Sequence, residues 1–206
     1  MMMFTSDLHL GHENLRAQYR TQFASVEEMD RVLIDNINRK MKRGDVLYVL
    51  GDLSFRSKRP VEEYLEQIKP RLVLVKGNHD RDWLRHLTEE QKARYFEGIY
   101  DRHSVKKNGI ELHLNHYPML AWNRSQYFGQ SFSICGHIHG DRTERVASRL
   151  FDRVPGQFNA GVDINHFEPV SFGELVQNNI DYYGLTFNDV QRQALEDAVR
   201  RMEREK

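Results

Sequence analysis

Short apolar runs that stop at polar, histidine-bearing loops recur along this chain. Met2 to Thr5 leads into Ser6-Asp7-Leu8-His9-Leu10-Gly11-His12, Val46 to Leu50 into Gly51-Asp52, and Leu72 to Val75 into Lys76-Gly77-Asn78-His79-Asp80. Runs of this length rich in valine and leucine read as buried strands, and each delivers its loop to one edge of a sheet. Between the first two, Val26, Met29, Val32, Leu33, Ile37 and Met41 follow a helical spacing, with Ser25 and Glu28 placed as a capping box. Residues 60 to 68 open with Pro60 at a suitable first helical position and predict a second, short crossover helix. Strand, helix, strand, helix, strand is the order of an α/β domain.

Past a polar stretch from Asp82 to Tyr95 that reads as helical, the pattern changes. Ile110 to Leu114, Phe132 to Cys135 and Phe158 to Gly161 predict short strands with few helices between them, so this half is richer in β-structure. No repeat and no Pro/Gly/Ser-rich linker divides the chain, which predicts a single domain over residues 1–206. Residues 188–206 predict a charged terminal helix with Val190, Ala194, Leu195, Ala198 and Met202 on one face. Packing of that face on the body is favoured over packing on a second subunit.

Composition narrows the function classes. With 206 residues the chain can bury one substantial core, and 39% apolar with 29% charged residues suits a folded, well-solvated globule. Thirty Lys and Arg balance thirty Asp and Glu, so no net positive field favours a long nucleic-acid surface, although local basic patches remain compatible with neutrality. The opening segment lacks the basic start and longer apolar run of a secretory signal, and no stretch approaches a membrane span. The expectation is a cytoplasmic protein with no membrane partner, in which the single Cys135 serves as a small apolar strand residue.

Chemistry enters with the loops. In chain order they carry Asp7 and His9, then Asp52, then Asn78-His79-Asp80, then His116, then His137 and His139 within Gly136-His137-Ile138-His139-Gly140. One such block alone is an ordinary turn; all of them together, each after a predicted strand or between glycines, point to a metal site. Carboxylate, amide oxygen and imidazole suit Mn, Fe or Zn better than Ca or Mg, which take oxygen ligands almost exclusively. So many ligands favour two ions. Such a pair can activate a water and screen the charge of a phosphoryl group under attack.

These blocks resemble the calcineurin-like metallophosphoesterase family, whose pattern is D-x-H, G-D, G-N-H-[DE], H and G-H-x-H in that order. The resemblance implies an α/β fold in four layers, a sandwich of two mixed β-sheets flanked by helices. It implies two divalent ions, with Mn favoured and Fe, Zn, Ni or Co as alternatives. Asp7, His9 and His139 would hold one ion, Asn78, His116 and His137 the other, with Asp52 as the bridge. His79 is similar to the family's catalytic histidine, which stabilises phosphoryl oxygens or protonates the leaving oxygen, and Asp80 would hydrogen-bond its imidazole and favour the protonated form. The nucleophile would be metal-bound hydroxide, with no covalent enzyme intermediate. Ser6 to Leu15, Gly51 to Phe55 and Asn115-His116-Tyr117-Pro118 with Trp122 further resemble a compact bacterial and phage branch. The Gly-Asp block lacks the Val-Asp-Arg-Gly that follows it in Ser/Thr protein phosphatases and dinucleoside tetraphosphatases, which counts against both.

His113 competes with His116 as a ligand, but strand alternation sets it on the face opposite Leu112 and Leu114, while His116 opens the loop beside Pro118. His12 and Asn14 are candidate phosphate contacts, Arg56 a candidate bidentate one, and Tyr117 and Trp122 candidate base-stacking residues. Asn159 to Asp163 is placed to close one side of the pocket. The favoured function is hydrolysis of a small nucleotide-like phosphate ester, a diester before a monoester. A nuclease on the same site and a non-catalytic scaffold on the same fold are the alternatives.

Overall fold

The computed structural model describes residues 1–140, 149, 151 and 153–204. Two four-stranded sheets face each other. The first runs β1 (Met2–Thr5), β2 (Val46–Val49), β3 (Arg71–Val75) and β4 (Phe96–Tyr100), in that spatial order and with every pairing parallel. The second runs β5 (His103–Lys107), β6 (Ile110–Leu114), β7 (Ser131–Cys135) and β8 (Gln157–Asn159), antiparallel at β5–β6 and parallel thereafter. An antiparallel bridge from Phe4 to Val170 and a parallel one from Ser6 to Gly161 tie β1 to the chain that follows β8.

Helices cover the outer faces. On the first sheet these are α1 (Glu13–Tyr19), α2 (Val26–Lys40), α3 (Val61–Leu65), α4 (Asp80–Leu84) and α5 (Glu89–Tyr95); α6 (Phe172–Tyr183) and α7 (Asp189–Glu203) follow the second. Because side chains alternate along a strand, the first sheet feeds two cores. Leu47, Val49, Leu72 and Leu74 pack with Met29, Leu33 and Ile37 of α2, whereas Phe4 and Val75 join Leu112, Phe132, Ile134 and Phe158 of the second sheet and Phe172, Leu175 and Leu195 of α6 and α7. That is the four-layer α/β sandwich expected.

Local chemistry sets the boundaries and several departures from expectation. Ser25 accepts the Glu28 N–H at 3.2 Å as an N-cap does, but the Glu28 carboxylate reaches one residue further back, to Ala24 N–H at 2.6 Å. Pro60 is the N-cap of α3 rather than its first helical residue. The stretch from Asp82 to Tyr95 is two helices, because Thr88 and Gln91 form a complete capping box that starts α5 afresh. Helix α1, strands β4 and β5 and helix α6 have no counterpart among the elements expected from the pattern. In the terminal helix Leu195, Ala198 and Met202 are buried against the body as expected, but Val190 at the first turn is 80% exposed; residues 205–206 lie outside the described residues. Among the described residues no helix is long and apolar enough to cross a membrane.

Candidate metal centre

Parallel pairing explains how distant residues meet. β1, β2 and β3 run one way side by side, as do β6, β7 and β8, so the loops leaving their C-terminal ends share one edge, the usual place for a site in such sheets. The backbone there is bent sharply. Asp7, His9, Asp52, His137 and His139 all adopt left-handed conformations, with φ of 58°, 50°, 54°, 73° and 47°. Each such non-glycine residue costs on the order of 1–3 kcal/mol and persists only when its surroundings enforce it. Here they do. Asp7 N–H donates to Gly51 O at 3.0 Å, His9 N–H to Asp52 O at 2.9 Å, and His137 N–H to the Asp7 carboxylate at 2.9 Å. Two glycines make the close approach possible: a Cβ at Gly136 would lie 1.8 Å from Ser6 Oγ, and one at Gly51, where φ is +93°, would lie 2.4 Å from His116 Nδ1.

Two clusters of metal-ligating groups result, Asp7 with His9 and His139, and Asp52 with His116 and His137, the ligand atoms of each lying within 4.8 Å of one another. Asp52 Oδ2 stands between them, 3.6 Å from His9 Nε2 and 3.6 Å from His116 Nε2. Asn78 Oδ1 joins the second cluster at 3.1 Å from His116 Nε2. His113, the rejected competitor, instead meets Ser104 on the neighbouring strand at 3.1 Å.

The histidines are oriented for ligation. His116 Nδ1 donates to Leu50 O at 2.7 Å, which leaves Nε2 as the lone-pair nitrogen facing Asp52. His139 Nδ1 pairs with Asp163 Oδ2 at 3.1 Å, the kind of carboxylate contact that orients a ligating imidazole. His9 is buried, and neither ring nitrogen has a hydrogen-bond partner among the described residues. Burial, followed by the positive charge of His139 and Arg20, pulls its pKa well below the usual histidine range. A neutral, buried imidazole with an unshared lone pair is suited to a metal ion and costly without one. The donor set therefore fits divalent cations.

A family model described as calcineurin-like phosphoesterase matches residues 2–183. The chain belongs to that family. An "Uncharacterized protein MJ1445" from Methanocaldococcus jannaschii is 27% identical over 174 residues, 84% of this chain and 87% of that one. The "Gene 66 protein" of Mycobacterium phage L5 is 36% identical over 80 residues, 37% of this chain and 38% of its own. In structure, a protein of unknown function from Aquifex aeolicus, AQ665, superposes with a TM-score of 0.63 at 28% identity, covering 86% of this chain and 98% of its own. The calcineurin-like phosphoesterase frame thus extends to relatives whose names state no substrate.

Within this family frame, one expected role is corrected. Asp80 does not reach the His79 imidazole: its carboxylate is fully buried and accepts from Gly77 N–H at 2.7 Å, Asp52 N–H at 2.9 Å, Leu53 N–H at 3.0 Å and Trp83 Nε1–H at 3.1 Å. Four donors saturate it, so it ties the Asp52 loop to the Asn78 loop. Burial raises its pKa to about 6, with Asp52 adding to the rise and the N–H donors opposing it. His79 lies instead over the Phe55 ring at 3.6 Å between centroids, with Nε2 3.9 Å from Asp52 Oδ2 and its backbone N–H on Asp52 Oδ1.

The candidate substrate contacts divide. His12 sits 5.5 Å from His9 between ring centroids and edge-on to Phe55, and makes no helix-capping bond. Arg56 is exposed with its guanidinium carbon 5.1 Å above Phe55, and Asn14 is exposed on α1. Tyr117 is 45% exposed and donates to Asn78 Oδ1 at 3.3 Å, placing its ring at the site's rim. Trp122 does not fit a stacking role: its indole is buried beside Ser104, His113 and Met119, where the loop after Pro118 folds back on β5 and β6.

Arg20, which motif spacing does not single out, and Asp163, at the end of the segment expected to close the pocket, join the centre. Arg20 is fully buried and grips Asp163 with Nε and Nη2 at 2.8 and 3.0 Å, while Nη1 and Nη2 donate to Leu8 O and Asp7 O at 2.8 and 2.6 Å. Although burial opposes ionisation of Asp163, His139 and Arg20 outweigh it and hold the carboxyl well below the usual range. His139 responds in kind: burial lowers its pKa, but Asp163 and Asp7 raise it overall.

Asp30 of α2 anchors the first loop by accepting Gly11 N–H at 2.9 Å. Burial lifts its pKa from 3.8 to about 6, so its ionised form is disfavoured in the fold. The folded state then holds more protons than the unfolded one between those values, and this residue's contribution to stability is lost as pH rises through about 6. Urea unfolding at pH 5 and pH 7.5 should show Asp30→Asn gaining stability relative to the parent at the higher pH. A difference that does not change with pH would refute this.

Proposed function

We propose that this chain is a two-metal phosphoesterase that hydrolyses phosphate diesters of nucleotide-like compounds. The observation that carries the proposal is the position of Asp52 Oδ2, equidistant from His9 Nε2 and His116 Nε2, because one carboxylate oxygen shared by two ligand clusters is what a bridged pair of cations needs. Asp7, His9 and His139 would hold one cation, Asn78, His116 and His137 the other, with Mn favoured for a set mixing oxygen and imidazole nitrogen. Bound there, the cations supply Lewis acidity that eases deprotonation of water and screens the charge of the phosphoryl group.

The protein's own groups do the remainder. Asp52 and the left-handed turns fix the donors before substrate arrives, so little reorganisation is left for the reaction. His79, 30% exposed in its side chain and lying over the Phe55 ring, would hydrogen-bond a phosphoryl oxygen or give a proton to the departing alkoxide. Water adds its oxygen to phosphorus, the ester P–O bond breaks, and the leaving oxygen takes a proton.

Protein stripped with EDTA and reloaded with Mn should cleave bis-p-nitrophenyl phosphate, bind two Mn per chain by elemental analysis, and lose activity again on chelation. Inactivity across Mn, Ni, Co, Fe and Zn would overturn the proposal.

A further inference from the structure

A groove of about 1180 Å³ opens beside the metal centre, with Asn78 and Tyr117 at its near end. It is larger than the roughly 300–1,000 Å³ usual for a small-molecule pocket, so a single nucleotide ester leaves much of it unfilled. Its charge is uneven although the chain is neutral. Lys76, Arg81, Arg85, Lys92 and Arg102 line it, against three carboxylates, Asp82, Glu89 and Asp101. Lys76 is neutralised by Asp101 at 2.8 Å and Lys92 by Glu89 at 2.7 Å. Among the described residues Arg81, Arg85 and Arg102 form no ion pair with a carboxylate, and all three are exposed. Arg85 meets only the ring of His86, at 3.3 Å.

The floor between these cations is apolar. Ala93 and Ile99 line it with Pro118 and Met119, whereas Phe96 is buried in the core against Trp83. Unpaired guanidinium groups above an apolar floor, with an exposed tyrosine where the floor meets the scissile site, suit a chain of alternating phosphates and flat bases. An acidic peptide would use the arginines but offers no phosphate to the adjacent candidate metal centre.

We infer that this groove binds the nucleotides flanking the scissile phosphate of a single-stranded oligonucleotide, so that the physiological substrate is a strand and not an isolated small diester. The inference rests on the phosphoesterase reading above and sharpens its substrate class. Charge segregation is what alters the expectation drawn from composition: a net charge of zero still leaves five cations against three carboxylates along one groove.

The test compares Mn-loaded parent protein with the triple variant Arg81→Glu, Arg85→Glu, Arg102→Glu and with Arg85→Gln, Arg102→Gln. Substrates are bis-p-nitrophenyl phosphate and labelled thymidine and uridine oligomers of two, six and twelve nucleotides. The parent should show KM falling at least tenfold from the dimer to the hexamer. The triple variant should lose that gain while cleaving the small diester at the parental rate, which also shows that it is folded. Binding of the hexamer by the parent should weaken with salt, and the log–log slope should flatten by about 0.7 for each phosphate contact removed. A KM independent of length, or a triple variant as good as the parent on the hexamer, would overturn the inference, as would tighter binding of a poly-glutamate peptide than of the hexamer. Absence of cleavage of the small diester by the parent would instead count against the phosphoesterase reading itself.

Discussion

Replacing Arg20 by methionine is expected to cost the fold about 3–5 kcal/mol, the usual result of removing one partner of a buried ion pair. Methionine fills much of the same volume, so the effect isolates charge and hydrogen bonding from cavity formation. Three losses coincide. Asp163 keeps a buried carboxylate with only His139 to compensate it, and the carbonyls of Leu8 and Asp7 lose their donors. Those carbonyls flank the strained turn that presents Asp7 and His9, so the variant should also bind metal more weakly. Loss of a group that orients a ligand lowers metal affinity by about 10–100-fold. Denaturant unfolding of the metal-free protein and Mn titration of the folded protein read the two effects separately. Parental stability in the first would show that Arg20 is not structural, and unchanged Mn affinity in the second would show that it does not support the ligands. Asp163→Asn is the companion: it should lower Mn affinity while retaining more stability, because an amide still offers one acceptor to Arg20.

The contrast between what spacing showed and what it did not follows from the range of each interaction. The ligand-bearing loops were legible because each is a local event, an apolar strand ending in a polar turn, and because parallel strands bring such turns to one edge. His116 is separable from His113 by strand alternation together with its place at the loop beside Pro118. Arg20 and Asp163 are 143 positions apart, and no local pattern marks an arginine as buried. Strand β5, His-Ser-Val-Lys-Lys, lies at the edge of its sheet with alternate residues exposed, and β4 begins directly where α5 stops and contains Gly98, so neither carries a continuous apolar run. Helix α6 carries a local signal in Ser171 and Glu174, which form a capping box, but a four-residue cap without a long apolar period does not by itself define a helix. Trp122 is buried where a stacking role is expected, because aromatic character alone does not say whether a ring packs or projects. The same ambiguity holds for Asp80, whose neighbour in sequence, His79, is not among the partners of its carboxylate.

Asp80→Asn separates those two roles for the aspartate. If its carboxylate polarised the His79 imidazole, the variant would keep its stability and its metal, and the change would appear as a displaced limb of the pH–rate profile. The geometry predicts the opposite order of effects. An asparagine presents an NH₂ group where the carboxylate faces Gly77, Asp52, Leu53 and Trp83 donors, so at least one buried N–H is left facing another donor. Each unpaired buried donor costs about 1–3 kcal/mol, and two of the four belong to the turn that carries Asp52. The expected result is a lower midpoint in urea together with loss of Mn from the protein, with kcat falling in proportion to metal occupancy. Adding excess Mn should then recover part of the activity at an unaltered pH optimum. Full stability and full metal content with a shifted optimum would restore the catalytic role, since a strut between two loops has no means of moving a pH profile while leaving the ions in place.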